Sequence, residues 1–215
     1  MNKPKVLDLG CKAGGASKGL EQAGFDVTGL DIEPQPHYPF PFILADMMTH
    51  PLEGYDCYWA SPPCERWSSC VNPTGGKEWR LKHPDLITPM RQRLLEMGKP
   101  FVLENVPGSP LQNYIKVDGT MVGIRTIKER WFECHGFEIT FLPTPFNANG
   151  LVKKGIFAGI MRHGKDSREL TKREHLAAAY EIDWFMTRDE LRKAIPPAMV
   201  KLIAIPMFNE VGKER

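Results

Sequence analysis

Apolar and polar positions in the first half of the chain alternate in a way that predicts short buried strands separated by helical stretches. Lys5-Val6-Leu7-Asp8-Leu9 is a compact, largely apolar run closed by Gly10, the pattern of a strand covered on both faces. Over residues 16–23 the apolar spacing turns helical, and Gly24 supplies the stop. Further strands are predicted at 26–30, 42–45, 56–60 and 100–103. A helix is predicted at 86–97, with Arg91, Arg93 and Glu96 on its polar positions. The proline-rich stretch 34–41 reads as an extended loop. Residues 65–82, polar and tryptophan-rich, read as a mobile active-site loop. Strands alternating with crossover helices predict an α/β fold built on a doubly wound, mostly parallel sheet.

In the second half, strands are predicted at 130–133 and 136–142, with a Pro-, Asn- and Gly-rich loop from Pro143 onward. A helix is predicted at 171–180, because Thr171 and Glu174 have the spacing of a capping box, and Thr187 with Glu190 repeats that spacing before 191–194. No internal repeat or low-complexity tract is present. With 215 residues, one domain is expected.

Composition narrows the function class without naming it. Hydrophobic residues make up 42% and charged ones 25%, as in an ordinary soluble globular protein. The net charge of +2 gives no global attraction to nucleic acid, so any polyanion must be met by local basic patches. No run of 18 apolar residues appears, and the chain enters a strand pattern at once, so a cytoplasmic protein without membrane association is expected. The five cysteines form no Cys-x-x-Cys pair and are expected to be reduced. A metal site through Cys57, Cys64, Cys70 and a histidine matches no familiar zinc spacing, and none is expected.

The segment Asp8-Leu9-Gly10-Cys11-Lys12-Ala13-Gly14-Gly15 lies between a predicted strand and a predicted helix. Glycines there let the backbone approach a nucleoside-like ligand, although a plain tight turn would read the same way. Asp31 ends the next predicted strand, where a carboxylate can accept hydrogen bonds from ribose hydroxyls. The turn lacks the Gly-x-x-x-x-Gly-Lys pattern of a phosphate loop and misses one glycine of the dinucleotide fingerprint, so a smaller, phosphate-free cofactor fits better.

Two prolines before Cys64 fix an extended approach at the carboxyl end of a strand, which is where open parallel sheets bind ligands. Glu104 is delivered by a different strand to an equally cleft-facing position, so the two could converge on one substrate. Taken singly, a cysteine is more often a small buried hydrophobe than a nucleophile, and a glutamate is by default a solvated charge.

Taken together, these motifs resemble the DNA cytosine-5 methyltransferase family. In order along the chain come the turn Asp8 to Gly15, Glu21-Gln22-Ala23-Gly24-Phe25, Asp31, Asp46, Pro62-Pro63-Cys64 with Ser68, and Glu104-Asn105-Val106. Arg168-Glu169-Leu170-Thr171-Lys172-Arg173-Glu174 and Ala194-Ile195-Pro196-Pro197 look like the family's last two motifs. The resemblance implies the Rossmann-like methyltransferase fold and S-adenosylmethionine as methyl donor. It implies cofactor contacts from Asp8, Gly10, Cys11, Lys12, Ala13, Gly14, Gly15, Asp31, Ile32, Asp46 and Pro63. It also implies a covalent mechanism in which the Cys64 thiolate adds to C6 of cytosine, Glu104 shares a proton with N3, and Arg130 contacts the ring carbonyl. Lys128 takes the place of the family's first arginine before Arg130 and joins that catalytic set. A base in duplex DNA would have to be flipped out of its stack.

Some positions depart from the family pattern. Lys12 replaces a glycine and Gly10 an aromatic residue in the cofactor turn, Glu65 follows Cys64 where glutamine is common, Thr126 replaces a glutamine, and Lys193 stands where asparagine is expected. The interval from Arg130 to Arg168 is too short for the family's target-recognition domain. The resemblance therefore divides the chain into a catalytic core at 1–135, a reduced recognition region at 136–170, and C-terminal helices at 171–215 that return to the core as a small irregular appendage. Arg162, Lys165 and Arg168 belong to a basic stretch that could hold phosphates or simply be a solvated face. Trp67 and Trp79, with Lys77 and Arg80, could stack on a base or pack within the loop. Methylation of cytosine in DNA is the leading expectation. The same chemistry on single-stranded DNA, RNA or a free cytosine nucleotide is one alternative, and a non-catalytic nucleic-acid-binding or regulatory module of the same fold is another.

Overall fold

A computed structural model describes residues 2–68, 77–144, 158–159 and 172–213. Its centre is a seven-stranded sheet formed by β1 (Lys5–Leu9), β2 (Asp26–Asp31), β3 (Phe42–Leu44), β4 (Cys57–Ala60), β5 (Phe101–Asn105), β6 (Ile115–Asp118) and β8 (Glu129–His135), in the order β3-β2-β1-β4-β5-β8-β6. The five strands from β3 to β5 are parallel, and β8 runs antiparallel to both β5 and β6. A short parallel pair, β7 (Thr126–Ile127) with β9 (Ala158–Gly159), stands apart.

Side-chain alternation assigns the two faces. Val6, Trp59, Val102 and Phe132 pack against α1 (Gly15–Ala23) and α6 (Pro197–Gly212). Leu7, Leu9, Tyr58 and Leu103 pack against Ile87, Met90 and Leu94 of α3 (Ile87–Glu96). Covering both faces is what makes β1, β4 and β5 read as near-continuous apolar runs. The chain leaves β1 toward β2 on one side, while β4 and β5 lie on the other. This puts a topological switch point between the carboxyl ends of β1 and β4, where such sheets form their ligand crevice. Gly10 and Ser61 meet there: a Cβ at Gly10 would lie 2.7 Å from the Ser61 carbonyl oxygen, and its φ of +82° is open to glycine.

Several expectations are corrected. Part of the segment read as loop is helical, because α2 (Lys77–Lys82) forms within it; residues 69–76 lie outside the described ones. No strand forms over 136–142, since Gly136 turns the chain with φ +78° directly against Pro100. Arg91 is not a solvated polar position: its Nε and Nη2 donate to the two carboxylate oxygens of Glu133 at 2.6 and 2.8 Å, tying α3 to β8. The helix α4 (Arg173–Tyr180) is capped by Lys172 in extended conformation, one residue after the expected Thr171, which lies outside the described residues. The second capping box does form. Thr187 Oγ1 accepts from Glu190 N at 3.3 Å at the start of α5 (Arg188–Lys193), and Thr187 N donates to Glu190 Oε2 at 2.6 Å. The strand β6 was not anticipated; the 16-residue α6 falls within the C-terminal helices expected at 171–215, although Pro206 within it reads in sequence as a breaker. Among the described residues no helix is long and apolar enough to cross a membrane.

Because α6 closes over α1 at glycines, that contact is sensitive to a single methyl group. A Cβ at Gly19 would sit 2.5 Å from the Pro197 carbonyl oxygen and 2.6 Å from Val200 Cβ. Gly19→Ala is expected to lower stability by about 1–3 kcal/mol through overpacking, measured by chemical denaturation.

Candidate active site

Three elements converge at the carboxyl ends of the central strands. Beyond β4 the chain continues as Ser61-Pro62-Pro63-Cys64, and its path is pinned by the neighbouring strand: Asn105 Nδ2 donates to the Pro62 carbonyl at 2.8 Å. Asn105 in turn is fixed by Val106 N, which donates to its Oδ1 at 3.0 Å. After Cys64 the backbone turns, with Trp67 N and Ser68 N both donating to the Cys64 carbonyl, at 2.9 and 2.8 Å. The thiol is thereby held at the mouth of the sheet and remains half-buried.

Glu104 is buried near the end of β5, and Arg130 reaches it from β8, with Nε 3.0 Å from Oε1. Trp59 Nε1 donates to Ser61 Oγ at 3.2 Å, which leaves the Ser61 hydroxyl hydrogen for Glu104, to which it is hydrogen-bonded. Burial pushes Glu104 above the ordinary carboxylate range, although Arg130, Lys128 and the Ser61 hydrogen bond pull the other way. For Cys64, burial again dominates, and the charges of Glu65 and Glu104 add to it. The thiol is pushed up to about 11 while Arg130 opposes the shift. Cys64, Glu104 and Arg130 thus form one electrostatic unit supplied by β4, β5 and β8.

Lys128 is placed differently from its expected role. Its buried ammonium turns away to the C-terminal segment, donating to the carbonyls of Arg192 at 3.2 Å and Ala194, and lying over the Tyr180 ring. It acts on Glu104 through its field while it braces the end of α5.

The glycine turn brings a second group together. Asp8 is fully buried, with Ser17 Oγ donating to its Oδ2 at 2.5 Å, and Oδ1 has no hydrogen-bond partner. Burial raises Asp8 to about 7, opposed by Ser17 and assisted by Asp31 and Glu104. With its hydrogen given to Asp8, Ser17 accepts from Tyr38 Oη, 2.8 Å away. The Cys11 thiol is likewise buried and pushed upward by burial and by Asp8. Ala13 is buried and accepts from Trp184 Nε1 at 3.0 Å, Gly14 has φ +92°, and Gly15 abuts the backbone of Ile195. At the end of β2, Asp31 Oδ2 accepts from Lys12 N at 3.0 Å. Ile32 beside it is 65% exposed, which leaves an apolar surface next to a buried carboxylate. Asp46 is exposed and accepts from Met48 N at 2.8 Å, and Pro63 is exposed at the same end of the sheet.

Of the expected nucleic-acid contacts, Trp67, Trp79 and Arg80 lie in one neighbourhood beyond Cys64, since Arg66 stacks over Trp67 and donates to the Arg80 carbonyl. Trp67 packs on the α3 side of the sheet with Arg66 over its ring, and Trp79 donates to the Glu65 carbonyl at 2.8 Å and stacks on His83. Lys77 begins α2 and Arg80 is exposed on it. Arg162, Lys165 and Arg168 lie outside the described residues. Sequence reasoning missed Ser61 as the partner of Glu104, Asn105 as the anchor of the Cys64 segment, and Ser17 with Tyr38 beneath the glycine turn. Ser61 and Asn105 adjoin the recognised motifs and could have been found from that adjacency. No local signal joins Tyr38 to Ser17.

No protein-family model and no curated protein matches the sequence. Solved structures do resemble the fold. A protein described as a candidate DNA modification methyltransferase encoded within an E. coli prophage has 14% identity and a TM-score of 0.65, over 97% of this chain and 99% of that one. The Entamoeba histolytica methyltransferase EhMeth has 11% identity and a TM-score of 0.60, over 97% and 99%. The S. pombe Dnmt2 methyltransferase has 10% identity and a TM-score of 0.53 over the whole of both chains. The chain therefore has the Rossmann-like fold of these methyltransferases, with its mostly parallel seven-stranded sheet.

The coupling of Cys64 to its neighbours predicts a pH profile. Alkylation at Cys64, followed by peptide mass mapping, should accelerate about tenfold per pH unit toward an inflection near 11, because only the thiolate reacts. Glu104→Gln removes a negative charge and should move the inflection down. Arg130→Met removes the opposing positive charge and should move it up.

Proposed function

We propose that the protein transfers a methyl group from S-adenosylmethionine to C5 of a cytosine ring in nucleic acid, with DNA as the leading substrate, through a covalent adduct at Cys64. The observation that carries this reading is the convergence of a thiol, a buried carboxylate and a guanidinium from three strands beside a nucleoside-type turn. The likeness to a structure described as a DNA modification methyltransferase supports it.

The residues at the ends of β1 and β2 fit such a donor. Asp31 is a nearly dry carboxylate suited to a ribose, and Ile32 offers an apolar face to a flat ring. The orphaned Oδ1 of Asp8 can accept from an ammonium, and a cationic neighbour would hold Asp8 ionised. Asp46, Pro63 and the backbone from Gly10 to Gly15 complete the wall. When bound, the donor supplies an electrophilic methyl group on a sulfonium.

C5 of cytosine is a weak nucleophile until C6 is attacked. The Sγ–C6 bond forms as the ring π electrons move toward N3, where a proton shared with Glu104 stabilises the developing charge. A carboxyl whose affinity for protons is raised by burial suits that role. Neutralising Glu104 also removes one of the two negative charges that raise Cys64, leaving Arg130 to favour the thiolate. C5 would then take the methyl group as the sulfonium S–CH3 bond breaks, its electron pair staying on sulfur to leave a thioether. The C5 proton is lost to solvent base, the Sγ–C6 bond breaks to return the thiolate, and the N3 proton goes back to Glu104.

The test is a panel of duplex DNA, single-stranded DNA, RNA and cytidine nucleotides, each incubated with labelled S-adenosylmethionine. Transfer to duplex DNA is the expected result. Preference for another member would reassign the substrate, and no transfer to any of them would favour a non-catalytic binding module. Cys64→Ser should abolish transfer while leaving cofactor binding intact, and Glu104→Gln should lower the rate about 10²-fold or more. Full activity in Cys64→Ser would sink the covalent mechanism.

A further inference from the structure

We propose that Lys12 is a direct ligand of the cofactor ribose, its ammonium donating to one hydroxyl while Asp31 accepts from the other. This inference rests on the cofactor reading above and assigns a role to a residue that stands where the resembled family has glycine.

Lys12 occupies an unusual place for a lysine. Its φ is +47°, in the left-handed region where a side chain costs energy, and yet it lies at the tip of the turn facing the end of β2. Its backbone N–H donates to Asp31 Oδ2 at 3.0 Å, and its Nζ lies 3.5 Å from Asp31 Oδ1 and 3.4 Å from Glu33 Oε2. Glu33 N donates to Asp31 Oδ1 at 3.1 Å. The Asp31 side chain is 2% exposed, whereas that of Lys12 is 43% exposed and borders solvent.

A donor and acceptor count follows from these contacts. A carboxylate has about four lone-pair sites and an ammonium three N–H donors. On Asp31, Oδ1 is already used by Glu33 N and Lys12 Nζ, and Oδ2 by Lys12 N, which leaves one site on Oδ2. On Lys12, two N–H groups face Asp31 and Glu33, which leaves one. A vicinal diol that required both oxygens of Asp31 would find one of them filled. A diol giving one hydrogen bond to Oδ2 and receiving one from Nζ uses what remains, because each hydroxyl both donates and accepts. Burial works against the charge on Lys12, but Asp31 and Glu33 outweigh it and hold the amine above its ordinary range.

The experiment measures binding without turnover. Isothermal titration of S-adenosylhomocysteine, and of its 2′-deoxy and 3′-deoxy analogues, is carried out on the wild type and on Lys12→Met. Methionine keeps the stem length and the backbone N–H but removes the donors, and melting curves check that the variant is folded. The expected result is a loss of about 10-fold in affinity for the parent ligand, the scale of a charged hydrogen bond. For one of the two deoxy analogues the wild type and Lys12→Met should bind alike, since the hydroxyl that Lys12 serves is missing. Equal or tighter binding of the parent ligand by Lys12→Met would overturn the inference, since the ammonium would then be competing with the ribose for Asp31. A loss of the same size for all three ligands would also overturn it, by showing a purely structural effect. Absence of binding by the wild type would instead overturn the cofactor reading itself, and this inference with it.

Discussion

A carboxylate taken out of water loses hydration worth several kcal/mol unless charged or hydrogen-bonding partners replace it. Glu104 meets that demand through the Arg130 guanidinium at 3.0 Å and the Ser61 hydroxyl, and these partners can reach it because the sheet delivers them there. Arg130 arrives from the antiparallel strand β8, and Ser61 from the end of β4, oriented by the Trp59 indole. The Cys64 segment follows from the same arrangement, since Asn105, the neighbour of Glu104, holds the Pro62 carbonyl. The need to keep one buried carboxyl solvated by protein therefore positions the Cys64 thiol as well.

The electrostatics of this arrangement suit a site that is inactive until occupied. Burial holds Cys64 as a thiol, and the negative charge of Glu104 contributes to that. In the proposed reaction, a ring that shares a proton with Glu104 removes this contribution, so binding would be coupled to activation of Cys64. The glycine turn has its own buried carboxylate, Asp8, whose unpartnered oxygen and upward shift would be relieved by a cation such as the proposed cofactor carries. Both halves of the crevice thus place unmet electrostatic demand where a ligand would meet it.

Much of this was legible from sequence where local pattern and tertiary role coincide. The strands β1 and β4 are short, largely apolar and buried on both faces, so their continuous apolar runs reveal them, and Gly10 closes β1. The placement of Cys64 just beyond β4 and of Glu104 near the end of β5 was legible because each belongs to a recognisable motif. Arg91 was read as polar surface, since nothing near it in sequence announces Glu133 across the sheet edge. The bounds of α6 within the expected C-terminal helices were hidden by its prolines, and its fit depends on Gly19 far away in α1. Lys128 was assigned by its position in a motif, whereas its ammonium follows the carbonyls of Arg192 and Ala194. In each of these cases the deciding partner is distant along the chain.

If Cys64 adds to C6 and methylation occurs at C5, as proposed, the hydrogen on C5 reports the reaction. With a substrate tritiated at cytosine C5, tritium should be released to water in step with methyl transfer, and both should be lost in Cys64→Ser. Methyl transfer without tritium release would place the reaction at another atom of the ring and contradict the proposal.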